Sequence, residues 1–199
     1  PGMVVINPSD DVEARAAVKA AYEHVGPVYI RFGRLAVPVI NDNPEYKFEI
    51  GKGVELRKGK DITIFATGLC VSETLKAAET LAANGIDAQV INIHTIKPLD
   101  EELVLKEAKQ TGRVYTVEEH SIIGGLGSAV AELLGEKCLI FPHRISKGIC
   151  QKIIYRIEAS RIKPANPGYL NRGRLIGQYR QAIVCSMSSQ INQNIDLII

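Results

Sequence analysis

Apolar runs alternate with amphipathic stretches between residues 61 and 136. The runs are rich in Val, Ile and Thr, and they predict β-strands at residues 62–67, 88–93 and 113–117. Apolar residues at helical spacing follow the first run, at Val71, Leu75, Ala78 and Ala82. Because strands and helices alternate along the chain, the pattern predicts an α/β fold of three layers, a mostly parallel sheet with helices on both faces.

The ends of these helices carry recognisable signals. Gly85 follows Asn84 and suits the left-handed conformation that often ends a helix. The segment 98–102, Pro-Leu-Asp-Glu-Glu, predicts the start of a second helix, because its carboxylates lie where the helix dipole is positive. A third helix is predicted after the glycine-rich segment 124–128 from one apolar stripe, formed by Leu126, Val130, Leu133 and Leu134.

A smaller β-α-β unit precedes this region. Residues 3–7 and 28–32 predict two strands, and Asp10 with Glu13 has capping-box spacing for a helix that runs to about His24. One face of that helix is apolar and carries Val18, Ala21, Tyr22 and Val25. Two strands are too few to bury both faces of a sheet. We therefore expect this unit to be the end of a larger domain.

The segment that joins the two regions is rich in Pro and Asn, which predicts a linker from Leu35 to about Tyr46. Residues 48–50 and 53–56 are predicted to form short flanking strands. The chain opens without an initiator methionine and runs directly into a strand-like segment, so we expect it to begin within a longer protein.

Composition restricts the class of protein. The hydrophobic content is 46%, and no uninterrupted apolar run reaches the ~20 residues that a membrane span needs. No signal peptide is recognisable. The four cysteines, which lack metal-ligand or redox-pair spacing, are Cys70, Cys138, Cys150 and Cys185. We therefore predict a cytoplasmic protein with reduced thiols, in which Cys70 is a small core residue rather than a reactive one.

Charge and pattern both change near Cys138. Residues 1–136 carry 14 Lys and Arg against 20 Asp and Glu, a net −6, whereas residues 137–199 carry 10 against 2, a net +8. Residues 139–199 show no sustained period, and we predict an atypical tail that is frame-shifted or non-native, with a genuine C-terminal extension as the alternative. Nucleic-acid binding by this basic tail is not expected, because aromatic residues do not interleave with its arginines.

A series of short motifs identifies a family. In order, these are GKDITI at 59–64, ATG at 66–68, IKPLD at 96–100, TVEEH at 116–120 and GGLGS at 124–128. Together they resemble the C-terminal domain of the transketolase family of thiamine-diphosphate enzymes. Upstream, residues 1–10 and 26–31 resemble the tail of the preceding, pyrimidine-binding domain. The resemblance covers roughly the first two-thirds of the chain.

This resemblance divides the chain into four parts. Residues 1–34 correspond to the end of a pyrimidine-binding domain, 35–60 to a linker with short strands, 61–138 to the transketolase C-terminal-like domain, and 139–199 to the atypical tail.

The family also implies a function for the complete enzyme. Such an enzyme would transfer a two-carbon ketol unit between phosphosugars, using thiamine diphosphate and magnesium or calcium. In the family, the groups that bind and activate the coenzyme precede the segment matched here. We therefore expect no catalytic, cofactor-binding or metal-binding residue in this chain, and no catalysis by it alone. The expected partners are the upstream segments of the same enzyme, a second copy in a homodimer and a phosphosugar.

Other functions remain open. Deoxyxylulose-phosphate synthase is the nearest rival within the family, because GKDITI, KPLDEEL and TVEEH occur there in similar form. The β-subunit of 2-oxoacid dehydrogenase is more distant. A different class of function is that of a stand-alone assembly module that needs no cofactor. The segment 30–34, Ile-Arg-Phe-Gly-Arg, favours transketolase over the synthase, since it lacks a proline-arginine-glycine sequence.

Two arginines are candidate substrate ligands. Arg31 and Arg34 follow a predicted strand at a loop, where α/β folds commonly bind ligands, and the planar guanidinium suits a sugar phosphate. In transketolases an arginine at this position is expected to bind the substrate phosphate, and the match falls on Arg34. Arg31 ranks lower because alternation along the strand directs it to the other face. A surface arginine that pairs with an acid is the structural alternative.

Other polar residues are weaker candidates. The glycines at 124–127 could cradle an anion, but close packing of the helix on a sheet or on a twofold-related partner is the favoured interpretation. The Glu118-Glu119-His120 segment and His94 offer acid–base chemistry, although hydrogen-bonded turns account for such residues more often.

Overall fold

The computed structural model describes residues 2–121 and 123–138, and the predicted tail at 139–199 lies outside these residues. Eleven elements follow in chain order: β1 (Val4–Ile6), α1 (Asp11–Glu23), β2 (Val28–Ile30), β3 (Val54–Arg57), β4 (Ile62–Ala66), α2 (Cys70–Ala83), β5 (Ala88–Asn92), β6 (Thr95–Lys97), α3 (Glu101–Thr111), β7 (Val114–Val117) and α4 (Leu126–Cys138). None of the described helices is long and apolar enough to cross a membrane.

The central sheet has the strand order β3-β5-β4-β7. Strand β4 pairs in parallel with both β5 and β7, whereas β3 is an antiparallel edge strand. Both faces of β4 are covered: Ile64 packs in a cluster with residues of α2, and Phe65 packs in a second cluster with residues of α3 and α4. The predicted three-layer α/β fold with a mostly parallel sheet is therefore confirmed.

The helix signals in the sequence coincide with the observed ends. The Asp10 carboxylate accepts a hydrogen bond from the Glu13 amide at 2.9 Å and so caps α1. Asp100 caps α3 by accepting from the Leu103 amide at 3.2 Å. Gly85 has the left-handed conformation predicted for it, with φ of 83°, directly after the C-cap of α2. These local rules hold because the orphan backbone groups of a helix end need a partner.

A second sheet has the order β2-β1-β6, with β1 parallel to β2 and antiparallel to β6. Strand β6 was not predicted from the sequence. The strand predicted at residues 48–50 is wrong. Phe48 and Ile50 instead pack from a loop against the apolar cluster of Val4 and Ile6, and β1 already has a strand on each edge.

Helix α1 buries a different face from the one its apolar residues mark. Glu13 and Ala17 are the buried residues, whereas Tyr22 and Val25 are 92% and 97% exposed. The other large exposed apolar residues of the N-terminal part, through residue 39, are Met3, Val18, Tyr29, Phe32, Leu35 and Val39. The three-stranded sheet therefore leaves an apolar surface uncovered by the described residues.

Candidate functional site

The two sheets meet at the carboxyl ends of their parallel strands. Asn7 follows β1, and the Thr67 hydroxyl that follows β4 donates to the Asn7 carbonyl at 3.4 Å. Gly68, with φ of 60°, approaches the Asn7 side chain so closely that a Cβ atom would lie 2.8 Å from its carboxamide carbon. Only glycine fits this approach. The loops after β1, β2, β4 and β7 thus share one edge of the molecule, where α/β folds bind ligands.

Arg31 fastens the loop after β2 to this edge. Its amide donates to the Ile6 carbonyl at 2.8 Å, and its guanidinium lies 3.8 Å from the carboxylate of Glu119, which follows β7. Both side chains are partly exposed, at 35% and 41%. Gly33, two residues further on, faces the side chain of Leu69. The loop therefore lies over the ends of β4 and β7.

Arg34 differs from Arg31 in its surroundings. It is exposed in a bend after β2, and it forms no hydrogen bond or ion pair with any residue that the structure describes. A guanidinium without a protein partner keeps its full charge and all its donors for a ligand. Of the two arginines predicted from the sequence, the structure pairs Arg31 with an acid and leaves Arg34 uncompensated.

The glycines at the start of α4 allow the backbone to pack closely against the buried carboxylate of Glu118. The buried carboxylate of Glu118 accepts from the amides of Leu126 and Gly127 at 2.7 and 2.9 Å. A Cβ atom on Gly125 would lie 2.7 Å from the carboxyl carbon of Glu118, and one on Gly127 would lie 2.9 Å from the Thr116 hydroxyl. The predicted close packing of this helix is confirmed. The capping role of Glu118 was missed, because it lies eight positions before Leu126 and no local capping motif has that spacing.

The remaining acid–base candidates do not form a catalytic pair. Among the described residues, His120 has no hydrogen bond or ion pair with Glu118 or Glu119. Cys70 is fully buried and free, and burial, followed by the nearby charges of Glu119 and Glu118, raises its pKa to about 12. The thiol is therefore protonated at neutral pH, and the prediction of a small core residue is confirmed.

His94 is a packed residue rather than an exposed base. Its ring is fully buried, lies 4.3 Å from the ring of Phe48, and shares a 2.9 Å hydrogen bond with the Thr95 hydroxyl through Nδ1. Burial lowers the pKa of His94 against the opposing influence of Glu13 and Asp100. The neutral imidazole is therefore the form present near pH 7.

Sequence reasoning missed a buried polar cluster, the Glu13 network, that joins α1 to the central sheet. The Glu13 carboxylate is fully buried and accepts from the Ser9 amide and hydroxyl at 2.7 and 2.8 Å. It also accepts from the Tyr46 hydroxyl at 2.5 Å and the Asn92 side-chain amide at 2.9 Å. Burial and the adjacent Glu13 charge raise the pKa of Tyr46, which therefore remains a donor. Capping-box spacing was the available signal, but it predicts only the local contact.

Asp10 extends the Glu13 network to the segment predicted as a linker. Burial alone would raise the pKa of Asp10, but hydrogen bonds from the amides of Glu13, Ile40 and Asn41 outweigh it and lower the pKa. The carboxylate is therefore charged at neutral pH and holds residues 40 and 41 against the start of α1.

The acidic and metal-ligating side chains of the described residues are dispersed. No group of three His, Cys, Asp or Glu side chains in them could hold a metal ion. The buried carboxylates Glu13 and Glu118 already bind donors of this chain.

Comparison with known proteins gives consistent matches. Residues 51–154 match the family model described as transketolase, C-terminal domain. The chain is 51% identical over 151 residues to the 6-deoxy-6-sulfo-D-fructose transketolase subunit SqwH of Clostridium sp. (strain MSTE9), covering 75% of this chain and 46% of that protein. It is 44% identical over 135 residues to a 1-deoxy-D-xylulose-5-phosphate synthase of Heliobacterium modesticaldum, covering 67% of this chain and 21% of that protein.

A solved structure described as a split-gene transketolase, an inactive β4 tetramer, superposes with a TM-score of 0.67 at 50% identity. The match covers 69% of this chain and 46% of that one. The chain thus spans less than half the length of these relatives. It carries the C-terminal domain of a transketolase-like enzyme, and it belongs to the transketolase family.

Proposed function

We propose that this chain forms part of an enzyme that transfers a two-carbon ketol unit between phosphosugars with thiamine diphosphate. Membership of the family implies this coenzyme in the complete enzyme, where it supplies a nucleophilic ylid carbon. The match to a transketolase subunit at 51% identity supports the reaction class. Within that enzyme, this chain provides a scaffold and one residue that binds the substrate. Both functions are placed at the edge where the two sheets meet.

Arg34 is the residue proposed to bind the phosphate of the substrate. The observation that carries this assignment is the contrast in pairing within one loop: Arg31 faces Glu119 at 3.8 Å, whereas Arg34 is exposed and has no partner among the described residues. An unpaired guanidinium at the carboxyl ends of parallel strands can grip two phosphate oxygens together. The role of Arg31 is then to hold the loop.

The coenzyme and its magnesium or calcium ion belong, in this proposal, to segments outside this chain. The engagement of Glu13 and Glu118 by donors of their own chain supports this division, because neither carboxylate is available to activate an aminopyrimidine. The solved relative described as an inactive β4 tetramer also supports a section that assembles without catalysing.

The upstream segments of the enzyme are the proposed partner of the exposed apolar surface on α1 and β2. Tyr22 near the end of α1 and Val25 in the bend that follows it are almost fully exposed, and strand β2 is an edge of its three-stranded sheet. Exposed apolar patches of this kind are typical of surfaces that bind another protein segment, because binding removes the apolar side chains from water. A homodimer is the assembly we propose for the complete enzyme. The free, unpaired thiol of Cys70 supports a cytoplasmic location, where thiols remain reduced.

The alternative substrate chemistry is that of deoxyxylulose-phosphate synthase, because a relative of that name is 44% identical. Transketolase and the synthase use different donor substrates, so the reaction catalysed by the complete enzyme distinguishes the two proposals. Transfer from xylulose 5-phosphate supports the transketolase proposal, whereas pyruvate-dependent condensation supports the synthase. A non-catalytic assembly module would give neither reaction in the presence of the upstream segments.

Replacing Arg34 with alanine in the complete enzyme should raise the KM for the phosphosugar about ten- to hundredfold, since charge-assisted hydrogen bonds contribute about 1.5–3 kcal/mol. Steady-state kinetics with varied phosphosugar measures the effect. Arg113→Ala is the matched control, because Arg113 is an exposed arginine just before β7, at the opposite end of that strand. An unchanged KM for Arg34→Ala would remove Arg34 from the substrate site.

A further inference from the structure

Residues 32–39 form a loop, the Arg34 loop, whose two ends are held by one short segment of the chain. Just before the loop, the Arg31 amide donates to the Ile6 carbonyl at 2.8 Å. Just after it, the next two backbone amides both donate to Oδ2 of Asp10, each at 2.8 Å. The loop is therefore fixed at its start by the end of β1 and at its end by the N-cap of α1.

The two points of attachment lie close together. Ile6 and Asp10 are four residues apart, so their Cα atoms are separated by at most about 14 Å, whereas the eight loop residues could span about 26–29 Å if extended. The chain must therefore fold back between them. Compact surface loops of this size whose ends lie close together frequently carry functional residues.

The Arg34 loop is also seated on the start of α2. Gly33 faces the side chain of Leu69, the residue before α2, so that a Cβ atom on Gly33 would lie 3.4 Å from the Leu69 Cδ2 atom. Ile40, directly after the loop, packs with Leu69 against the same apolar cluster of α2. Arg34 lies between these two packed points, although its own side chain is exposed.

The two oxygens of Asp10 have separate partners. Oδ1 accepts from the Glu13 amide at 2.9 Å and caps α1, whereas Oδ2 accepts only from the two amides that follow the Arg34 loop. A helix cap needs a single side-chain oxygen, and a serine hydroxyl provides one as well as a carboxylate does. The second oxygen of Asp10 is therefore not required by α1, and its contacts are those that fix the loop.

We propose that Asp10 is a positioning residue for substrate binding: through Oδ2 it holds the end of the Arg34 loop and so determines where the Arg34 guanidinium meets the phosphate of the substrate. The proposal rests on the assignment of Arg34 to the substrate site. It adds a residue that acts through the loop, from the first turn of a helix whose cap it also forms.

The test is Asp10→Ser in the complete enzyme, because serine keeps the cap of α1 and removes Oδ2. We expect the KM for xylulose 5-phosphate to rise about three- to tenfold, less than for Arg34→Ala, since the guanidinium is misplaced rather than absent. The KM for xylulose, which carries no phosphate, should not change. The ratio of the two KM values is the readout, because a general structural disturbance would raise both.

Asp100→Ser is the matched control. Asp100 caps α3 in the same way, with Oδ1 accepting from the Leu103 amide at 3.2 Å and Oδ2 accepting from the Gly53 amide at 3.0 Å. Serine therefore makes the same chemical change there and releases a different loop. The KM ratio should remain at its wild-type value in this variant.

Hydrogen exchange checks that Asp10→Ser acts as intended. The amides of Ile40 and Asn41 should exchange faster than in the wild type, because they lose their acceptor, while the amides in the middle of α1 keep their protection. If the serine variant does not fold, Asp10→Asn replaces it: the isosteric amide keeps one oxygen for the cap and faces the two loop amides with a donor. The same rise in the KM ratio is expected.

A double variant isolates the role of Arg34. Asp10→Ser combined with Arg34→Ala should raise the KM for xylulose 5-phosphate no further than Arg34→Ala alone, because no guanidinium remains to be misplaced. A further rise in the double variant, or an unchanged KM ratio in Asp10→Ser, would overturn the proposal. If Arg34→Ala itself leaves the KM unchanged, the substrate site is wrongly assigned, and that result is distinct from a silent Asp10→Ser with Arg34 active.

Discussion

Replacing Gly125 with alanine should destabilise the folded chain by about 2–4 kcal/mol, within the range of overpacking combined with a lost helix cap. A Cβ atom at this buried position would lie 2.7 Å from the carboxyl carbon of Glu118. The carboxylate would have to leave the amides of Leu126 and Gly127, which it accepts from at 2.7 and 2.9 Å. Urea-induced unfolding, followed by far-ultraviolet circular dichroism, measures the loss.

Gly135→Ala in the same helix is the matched control. No described atom lies within 4 Å of a Cβ atom placed there, and the position is inside α4. Alanine should therefore stabilise the helix by about 0.5–1 kcal/mol, because it restricts the unfolded backbone and has the higher helix propensity. Equal stabilities for the Gly125 and Gly135 variants would contradict the packing described here for the start of α4.

Replacing Glu13 with alanine should cost about 3–5 kcal/mol of unfolding free energy, because several buried donors lose their acceptor at about 1–3 kcal/mol each. The change leaves the Tyr46 hydroxyl, the Asn92 amide and the Ser9 amide and hydroxyl without their acceptor. These donors come from three parts of the chain, so the loss should destabilise all three together. Hydrogen exchange should then show increased opening in α1, in residues 40–46 and at the end of β5.

The control for this prediction lies on the same helix. Glu23 is the last residue of α1 and is exposed, so Glu23→Ala should change the unfolding free energy by no more than about 0.5 kcal/mol. A loss of less than about 1 kcal/mol for Glu13→Ala would mean that water or a rearranged partner replaces the carboxylate. In that case the Glu13 network does not join α1 to the central sheet.

Much of the fold could be predicted from local patterns. The central strands are short apolar runs whose period and composition leave little choice, and Asp10, Asp100 and Gly85 mark helix ends by contacts within a few residues. Strand β6 escaped prediction because three residues beside a proline carry no period, and their pairing with β1 is decided by tertiary structure. The reverse error occurred at residues 48–50, where side chains that pack in a loop have a strand-like pattern.

In the candidate site, too, the sequence predicts local features and misses contacts between distant residues. The family motif points to Arg34 and Arg31, but the difference between them arises from Glu119, which lies 88 residues further along the chain than Arg31. The cap formed by Glu118 and the network around Glu13 likewise depend on contacts between distant elements. Sequence spacing predicts which residue types are available near a loop. Only the packed structure determines which charges are neutralised.

The exposed face of α1 is informative for the same reason. Its apolar residues predict a buried face, yet Val18 and Tyr22 are exposed while Glu13 is buried. The polar face is buried because Glu13 finds four donors there. The apolar face is the surface that we propose the upstream segments of the enzyme cover.

The most direct test of the account is a calorimetric titration of thiamine diphosphate with magnesium into two samples, this chain alone and the complete enzyme that contains it. A cooperative urea transition should first establish that the chain alone is folded. We predict saturable binding and ketol transfer from xylulose 5-phosphate for the complete enzyme, and no heat beyond dilution for the chain alone. Saturable, stoichiometric binding of the coenzyme by the chain alone would contradict the account.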